Sequence, residues 1–408
     1  MPTPVNPTRT PALRLALIVL APIVFVVLCD IVIRVSGVDT SVARNRNFEI
    51  GVPTWLLWDE NWVDIQRGRM DEPGGVRAED VAWLQHFEEA RYIEYKLKPS
   101  IEVDASNPFN DIELRKEVTF ALRSNRDGFR TKEFAPRHAG VMRIVTIGDS
   151  STFGWGVGPE HTYQRLLEER FANAGDEVEV LNLGISGHTS RHGLSMFEHY
   201  VRGLDPDLLI ISYGANDARY VLQSADDVLD ADETWRGTAR SLLYRFETFK
   251  LMRRLILSVY DPFAISQARA DAEGTARALV RSVERDVYME NLRLIVSGAR
   301  EHGIDSALLA VCTLPAYVRG MRYIADTEQL PLVDAESLFR ENLDALRSKR
   351  LYPTEVAFYE DLYGPDALSA RPMLYVTTDG CHPGRAGHSL IADALHEALR
   401  ADGGSATH

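Results

Sequence analysis

The sequence predicts a three-layer α/β/α sandwich around a mainly parallel five-stranded sheet, preceded by one transmembrane helix. Three observations indicate this fold class: an apolar stretch near the N-terminus, short β-branched runs from residue 141 onward, and helical periodicity between those runs. Strands that alternate with helices pair in parallel through right-handed crossovers, and the helices then cover both faces of the sheet. A chain of 408 residues is long enough for roughly two to three domains.

The composition narrows the classes of function. The chain has 45 Lys and Arg against 59 Asp and Glu, a net charge of −14, which argues against a general nucleic-acid binder. Its cysteines, Cys29, Cys312 and Cys381, are too few for a disulfide scaffold, and their spacing does not fit a thiolate zinc site. We therefore expect a folded enzyme or binding domain.

The apolar stretch near the N-terminus covers residues 15–33, with Asp30 as its single charge. As a helix it spans about 28 Å, close to the hydrocarbon thickness of a bilayer. Two interpretations compete, an anchor that stays in the membrane and a signal peptide that is removed. Arg34 stands where small residues would precede a cleavage site, so we favour an anchor over residues 1–37 that contacts the membrane through residues 15–33. Basic residues on both sides of the stretch leave its orientation open.

The rest of the chain divides into two further segments. Residues 38–140 alternate between polar loops and short aromatic or β-branched runs, which indicates a strand-rich or irregular lead-in segment. The main domain is expected over residues 141–404, with an insertion at 218–275. Within the main domain, the hydropathy pattern predicts strands at 143–147, 177–183, 208–212, 307–311 and 332–334, and helices at 162–174, 190–201, 276–300 and 385–400.

Polar or glycine-rich clusters follow the first three predicted strands and precede the last helix. They are Gly148-Asp149-Ser150-Ser151, Ser186-Gly187-His188-Thr189, Gly214-Ala215-Asn216-Asp217 and Asp379-Gly380-Cys381-His382. Ligands of such sheets bind outside the carboxyl ends of the strands, so we expect the clusters to converge on one edge.

The residue types in these clusters suit nucleophilic catalysis. Ser150, at a strand-to-helix turn, exposes its hydroxyl near backbone amide donors. His382 is placed to take the serine proton and return it to a leaving group, while Asp379, three residues earlier, fixes the histidine tautomer. The backbone amide of Gly187 and the side-chain amide of Asn216 are candidate donors to an oxyanion.

Each cluster alone also has an ordinary structural interpretation. Gly-Asp-Ser is a common turn, Gly184 and Gly187 could both be turn glycines, and Asn216 could cap a helix. The joint arrangement, in order and at the strand ends of one predicted sheet, favours catalysis.

In this order the four clusters resemble the SGNH (GDSL-type) hydrolase family, over roughly residues 141–400 without the insertion. The upstream anchor looks like that of a membrane-tethered bacterial subgroup. The resemblance implies a flavodoxin-like sheet and ester hydrolysis through an acyl-enzyme, with no metal and no cofactor. It assigns Ser150 as nucleophile, Asp379 and His382 as the other triad members, and Ser150 N–H, Gly187 and Asn216 as the oxyanion hole.

Two of these assignments have a neighbouring competitor. Ser151 adjoins the nucleophile, and Ser150 is preferred because Gly148-Asp149 precede it directly. Gly184 competes with Gly187, which is preferred because Ser-Gly-x-Thr matches the family motif better.

The expected function is that of a membrane-anchored serine ester hydrolase acting on O-acyl esters of glycans or lipids. One alternative is an acyltransferase that moves the acyl group to a cell-surface glycan, and another is a catalytically silent glycan-binding module. The expected location is the bacterial inner membrane, single-pass, with the catalytic domain outside the cytoplasm.

Two further expectations concern the surroundings of the site. Cys312 and Cys381 both fall near the catalytic edge, where we expect two packed thiols, with a disulfide as the alternative in an oxidising compartment. The insertion is expected to form a helical cap over the site, because it follows the strand end that carries Asn216. Residues 235–260 hold six basic side chains against Glu247 alone, so their basic face could also rest on anionic lipid.

Overall fold

A computed structural model describes residues 11–38, 86–106, 119–221, 224–226, 229–230, 234–243, 245–259, 280–378 and 381–403. The chain separates into two compact units. The smaller consists of Met1–Val42 and Glu233–Arg277, and the larger of Ala43–Asp232 and Ala278–His408. The predicted division into anchor, lead-in segment and main domain stays a prediction.

The elements are named here in chain order. The strands are β1 (Phe87–Glu89), β2 (Tyr95–Leu97), β3 (Glu102–Ser106), β4 (Thr119–Arg123), β5 (Met142–Gly148), β6 (Val178–Asn182), β7 (Leu208–Ser212), β8 (Tyr220–Val221), β9 (Val280–Arg281), β10 (Asp305–Ala310) and β11 (Leu332–Asp334). The helices are α1 (Pro11–Ser36), α2 (Ser150–Phe153), α3 (Tyr163–Asn173), α4 (Ser190–Met196), α5 (Trp235–Leu243), α6 (Glu247–Val259), α7 (Arg285–Glu301), α8 (Pro315–Glu328), α9 (Ala335–Arg347), α10 (Pro353–Tyr363), α11 (Pro365–Ala370) and α12 (Arg385–Gly403).

The central sheet has five strands in the spatial order β11-β10-β7-β5-β6, and every pairing is parallel. The predicted five-stranded parallel sheet is therefore confirmed. Counted along the chain, the strands stand in the order 2-1-3-4-5 from one edge, which is the flavodoxin-like order. In this order the connections reverse direction between β5 and β7, the point at which sheets of this kind bind their ligands.

The strands form because their side chains are buried on both faces of the sheet. Ile144 and Ile210 belong to one hydrophobic core, whereas Val145 and Ile211, one residue further along the same strands, belong to another. Successive side chains of a strand point to opposite faces, so continuous apolar runs suit a sheet that helices cover on both sides. The two cores establish the three layers.

The helix predicted at 276–300 begins later than the sequence pattern indicates. In the structure Val280–Arg281 forms β9 and pairs antiparallel with β8, and α7 starts only at Arg285. The backbone of residues 280 and 281 is thus held by a strand partner. Residues 276–279 lie outside the described part of the chain.

The lead-in segment contributes two short antiparallel hairpins to the larger unit, β1 with β2 and β3 with β4. Phe87, Tyr95 and Leu122 are buried in the same core as Phe153 of α2. The ring centroids of Phe87 and Phe153 are 6.1 Å apart, so the first hairpin packs against the helix that carries Ser150.

In the smaller unit α1 packs against α6. Asp30 is buried, its carboxylate accepts a hydrogen bond from Arg34 Nε at 2.8 Å, and it also accepts the Thr248 amide at 3.2 Å. No helix in the described ranges is both long and apolar enough to cross a membrane, so the predicted transmembrane helix at residues 15–33 is not supported. The Asp30–Arg34 ion pair places two charged groups in the C-terminal part of α1.

The described part of the insertion includes α5 and α6. The prediction that the insertion caps the site stays a prediction. The prediction that its basic face rests on lipid also stays one, because the side chains of Arg240 and Arg254 are not among those that the structure describes.

Candidate active site

Ser150 stands at the sharp turn between β5 and α2. Asp149 is the N-cap of this short helix, and its side chain accepts the Ser151 amide at 2.9 Å. Gly148 must remain without a side chain, because a Cβ there would lie 2.6 Å from the carbonyl oxygen of Ser212. Gly154 ends the helix in the left-handed region, at φ 88°. The turn holds Ser150 at the carboxyl edge of the sheet.

His382 lies beside this serine, although it comes 232 positions later in the sequence. Its Nε2 lies 2.8 Å from Ser150 Oγ, and both side chains are buried. The loop that carries His382 is held by its backbone: Thr378 N donates to His382 O at 2.8 Å, and Gly384 N donates to Val376 O at 2.7 Å. The structure thus brings together two of the predicted site residues, at a distance suited to proton transfer.

Two acidic residues, Asp379 and Asp149, are candidates for the carboxylate partner of His382. Asp379, the predicted third member of the triad, lies outside the described residues together with Gly380. Asp149 is described and fully buried, and burial raises the pKa of its carboxyl group to about 6, while the Ser151 amide and His382 oppose this rise. The charge of Asp149 is therefore sensitive to pH in the neutral range.

The side chain of Asn216 is oriented by two partners. Its Nδ2 donates to the carbonyl oxygen of His188 at 3.1 Å, and its Oδ1 accepts a hydrogen bond from Arg219 at 3.2 Å. The amide orientation follows from these contacts, because Nδ2 faces an acceptor and Oδ1 faces a donor. One of the two N–H bonds on Nδ2 serves His188, which leaves the other for a further acceptor.

The two competing glycines have different structural roles. A Cβ on Gly184 would lie 2.6 Å from the Phe153 amide nitrogen, so Gly184 permits close packing of the loop against α2. Gly187 has φ 84°, a left-handed conformation that favours glycine, and the next residue, His188, contacts Asn216. The choice of Gly187 over Gly184 as an oxyanion donor stays a prediction.

Cys312 and Cys381 form a disulfide, with their Cα atoms 4.9 Å apart. The expectation of two packed thiols was therefore wrong, and the alternative is the one observed. Cys312 follows β10 in a left-handed conformation, and Cys381 immediately precedes His382. The disulfide therefore connects the His382 loop covalently to the segment that directly follows β10. Sequence alone could not give this distance, because 69 positions separate the two cysteines.

Arg130, which sequence reasoning missed, supports the nucleophile turn. Its guanidinium donates to the carbonyl oxygens of Phe153, Gly154 and Val157 at 2.7, 2.6 and 2.5 Å. The same group lies over the rings of Phe120 and Phe153, 5.3 and 5.2 Å from their centroids. No local pattern could have identified Arg130, since the three carbonyl groups that it holds near the nucleophile are more than 20 positions away along the chain.

Comparison with known proteins finds related sequences. The GDSL-like lipase/acylhydrolase family model matches residues 146–390. An arylesterase of Vibrio mimicus is 33% identical over 75 residues, which are 18% of this chain and 38% of that protein. Esterase TesA of Pseudomonas aeruginosa is 31% identical over 81 residues, which are 20% of this chain and 40% of that protein. The matches thus span about two fifths of the length of these curated relatives.

Solved structures also align with part of this chain. The lipase/acylhydrolase from Enterococcus faecalis aligns with a TM-score of 0.36 and 18% sequence identity, over 64% of this chain and 96% of that chain.

Proposed function

This chain belongs to the GDSL-like lipase/acylhydrolase family, and we propose that it is an ester hydrolase in which Ser150 is the nucleophile and His382 the general base. The observation that carries the proposal is the 2.8 Å distance between His382 Nε2 and Ser150 Oγ. A neutral imidazole at that distance can take the hydroxyl proton as the oxygen attacks.

The proposed reaction proceeds in two halves. Ser150 Oγ attacks the acyl carbonyl carbon while its proton passes to His382 Nε2, and a tetrahedral oxyanion forms. His382 then donates this proton to the leaving alcohol oxygen as the carbon–oxygen bond breaks, which leaves the acyl group on Ser150. A water molecule loses a proton to His382 and attacks the acyl carbon, and the proton returns to Ser150 as the carboxylic acid departs.

We propose that the oxyanion is stabilised by three N–H groups: the backbone amides of Ser150 and Gly187, and the second N–H of Asn216 Nδ2. The support is that Asn216 Nδ2 donates to the carbonyl oxygen of His188, the residue after Gly187, so a hydrogen bond joins the two loops that carry these donors. Donors that are fixed before the reaction do not reorganise as charge develops, and this makes them effective catalytic groups.

Asp379 is proposed to orient the imidazole of His382 through Nδ1. Asp149 interacts electrostatically with the histidine, but its carboxylate accepts the Ser151 amide and caps α2. Asp379→Asn is therefore expected to reduce kcat strongly, whereas Asp149→Asn, which keeps an acceptor oxygen for the cap, should reduce it less.

The experiment that tests the nucleophile compares Ser150→Ala with Ser151→Ala in hydrolysis of p-nitrophenyl acetate and in labelling by a fluorophosphonate probe. Ser150→Ala should lose both activities, while Ser151→Ala should be labelled like the wild type. Labelling that survives in Ser150→Ala and vanishes in Ser151→Ala would move the nucleophile by one position.

The proposed substrates are O-acyl esters of glycans or lipids. The relatives named as an arylesterase and an esterase support ester chemistry, and the acyl chain is left to experiment. A series of p-nitrophenyl esters of increasing chain length measures the acyl preference. Acetate release from an acetylated glycan, with and without an acceptor sugar, then distinguishes hydrolysis from acyl transfer.

We also propose that the smaller unit attaches the protein to lipid outside the cytoplasm. In support, α1 exposes large apolar side chains on several sides, among them Ile18, Phe25 and Val35, which are 69%, 68% and 83% exposed. The Cys312–Cys381 disulfide supports an oxidising compartment. Flotation of the full chain with phospholipid vesicles tests this. Phe25→Asp should reduce binding, whereas Leu294→Asp, on the exposed face of α7, should not.

A further inference from the structure

The hairpin formed by β1 and β2 lies outside the family match at residues 146–390, yet it contacts the loop that carries Gly187. Tyr95, the first residue of β2, donates a hydrogen bond from its hydroxyl to the carbonyl oxygen of Ser186 at 2.6 Å. Both residues are buried, so water does not compete for this bond. The rings of Tyr95 and His188 also pack in a T-shaped arrangement, with 5.0 Å between their centroids.

This bond acts on the peptide group that contains the proposed oxyanion donor. The carbonyl of Ser186 and the N–H of Gly187 belong to one peptide unit, which is planar, and the two bonds point in opposite directions across it. Fixing the Ser186 oxygen therefore fixes the direction of the Gly187 N–H. A hydrogen bond accepted by the carbonyl also polarises the same amide and strengthens its N–H as a donor.

The hairpin holds the far end of the same loop as well. Glu94 Oε2 lies 3.3 Å from His192 Nε2. The other ring nitrogen of His192 accepts the Thr189 amide at 3.2 Å, at the start of α4. The rings of His192 and His188 stack with 4.4 Å between their centroids. Two neighbouring residues of the hairpin therefore contact the two ends of the segment from Ser186 to His192: Tyr95 bonds Ser186, and Glu94 contacts His192.

The turn of the hairpin has a backbone shape that its residues rarely adopt. Tyr92 and Glu94 have φ 71° and 61°, in the left-handed region that disfavours residues with a Cβ. Such conformations persist where the surroundings determine them, and they cluster at functional sites. Tyr92 stacks on His199 with 3.6 Å between ring centroids, and Tyr200 donates to the Arg91 carbonyl at 3.2 Å. Docking on the helical segment after α4 therefore holds the turn in place.

We infer that Tyr95 is a positioning residue of the oxyanion hole, whose hydroxyl orients and polarises the Ser186–Gly187 peptide so that the Gly187 N–H meets the developing oxyanion. The inference rests on the proposed function, and it gives the lead-in segment a role in the chemistry.

The test compares Tyr95→Phe with a matched control, Tyr200→Phe. Each variant removes one hydroxyl that bonds a carbonyl in the same interface, but only Tyr95 contacts the Gly187 loop. Tyr95→Phe should lower kcat for p-nitrophenyl acetate about 5- to 20-fold with little change in KM, less than the 10²–10³-fold loss on deleting a donor outright. Tyr200→Phe should keep kcat within about twofold of the wild type. A merely structural role would change both variants alike, or would change KM.

Hydrogen–deuterium exchange of the full chain supplies a readout besides activity. Amides of residues 184–190 should exchange faster in Tyr95→Phe than in Tyr200→Phe, while those of α8 should be equal in both and report an intact fold. If the wild type hydrolyses esters through Ser150 but Tyr95→Phe matches Tyr200→Phe in kcat, the inference is overturned and the proposed function stands. If the wild type has no Ser150-dependent hydrolysis, the proposed function itself fails and the positioning role of Tyr95 fails with it.

Discussion

The Nε2 atom of His382 lies 2.8 Å from the Oγ atom of Ser150, although 232 positions separate the two residues in the chain. The geometry is set at both ends, since Ser150 sits on a capped turn after β5 and His382 on a loop bridged to the end of β10. Changes at either support should therefore alter catalysis without touching the reacting atoms.

Asn216→Ala should lower kcat about 10²–10³-fold with little change in KM, because its N–H acts on charge that forms only in the transition state. Asn216→Asp is the informative companion. It is nearly isosteric and can still accept from Arg219, but it offers no N–H and adds a negative charge, so it should be at least as inactive. Steady-state kinetics measure both, and a loss below about threefold in Asn216→Ala would exclude it from the oxyanion hole.

The double variant Cys312→Ser with Cys381→Ser should lower the free energy of unfolding by about 4 kcal/mol, the loss expected for a loop of 69 residues. Urea unfolding with and without a reductant measures this. The wild type should lose stability in the reductant, and the double variant should be indifferent to it. Two free thiols found at these positions in protein purified under oxidising conditions would contradict the prediction.

Asp149 makes the stability of the fold depend on pH. Its pKa is about 6 in the folded state against 3.8 as a free side chain, so the folded state binds the proton more tightly. Stability is therefore lost as the pH rises from about 4 to about 6. Asp149→Asn keeps the acceptor for the Ser151 amide but does not ionise, so it should gain up to ~3 kcal/mol relative to the wild type between pH 4 and pH 8.

Thermal unfolding at pH 4 and pH 8 checks the prediction for Asp149. Asp326→Asn, on the exposed side of α8, is the control and should show no such difference between the two pH values. An Asp149→Asn advantage that is equal at both pH values would show that ionisation is not the cause.

Gly184→Ala should destabilise the protein by about 1–3 kcal/mol and reduce activity, because the added methyl group would be pressed against the Phe153 amide in α2. Gly203→Ala provides the comparison, since a Cβ at Gly203 meets only open space, and its stability should change by less than about 1 kcal/mol. Thermal unfolding distinguishes the two. An unchanged Tm in Gly184→Ala would show that the loop yields without cost.

The sheet could be predicted because its strands are continuous apolar runs, which are easy to find in a sequence. A strand such as β7, Leu208–Ser212, is buried throughout, and its composition alone marks a strand covered on both faces. The polar clusters were then located by a rule of topology, since parallel strands bring their carboxyl ends to one edge. This is why Ser150 and His382 could be paired from sequence although they lie far apart.

The parts that could not be predicted depend on contacts between distant segments. The strand β9 has only two residues and forms because β8 is beside it, so the helical periodicity of 276–300 was extended too far. Tyr95 and Arg130 donate hydrogen bonds to backbone carbonyl groups of other segments. Every residue has such a carbonyl group, so no residue type or motif in the sequence indicates which one is bonded.

The ladder between β8 and β9 has a consequence for how this protein can vary. Val221 and Val280 are direct partners, so the two ends of the segment between them lie side by side. Closing a loop at such a point costs little more as the loop lengthens. Ala225, which lies between them in the chain, is buried in the larger unit and its amide donates to the Ser282 carbonyl oxygen, so it has to be kept. Residues 233–277, which belong to the smaller unit, should tolerate lengthening, shortening or replacement while Ser150, Asn216 and His382 keep their positions.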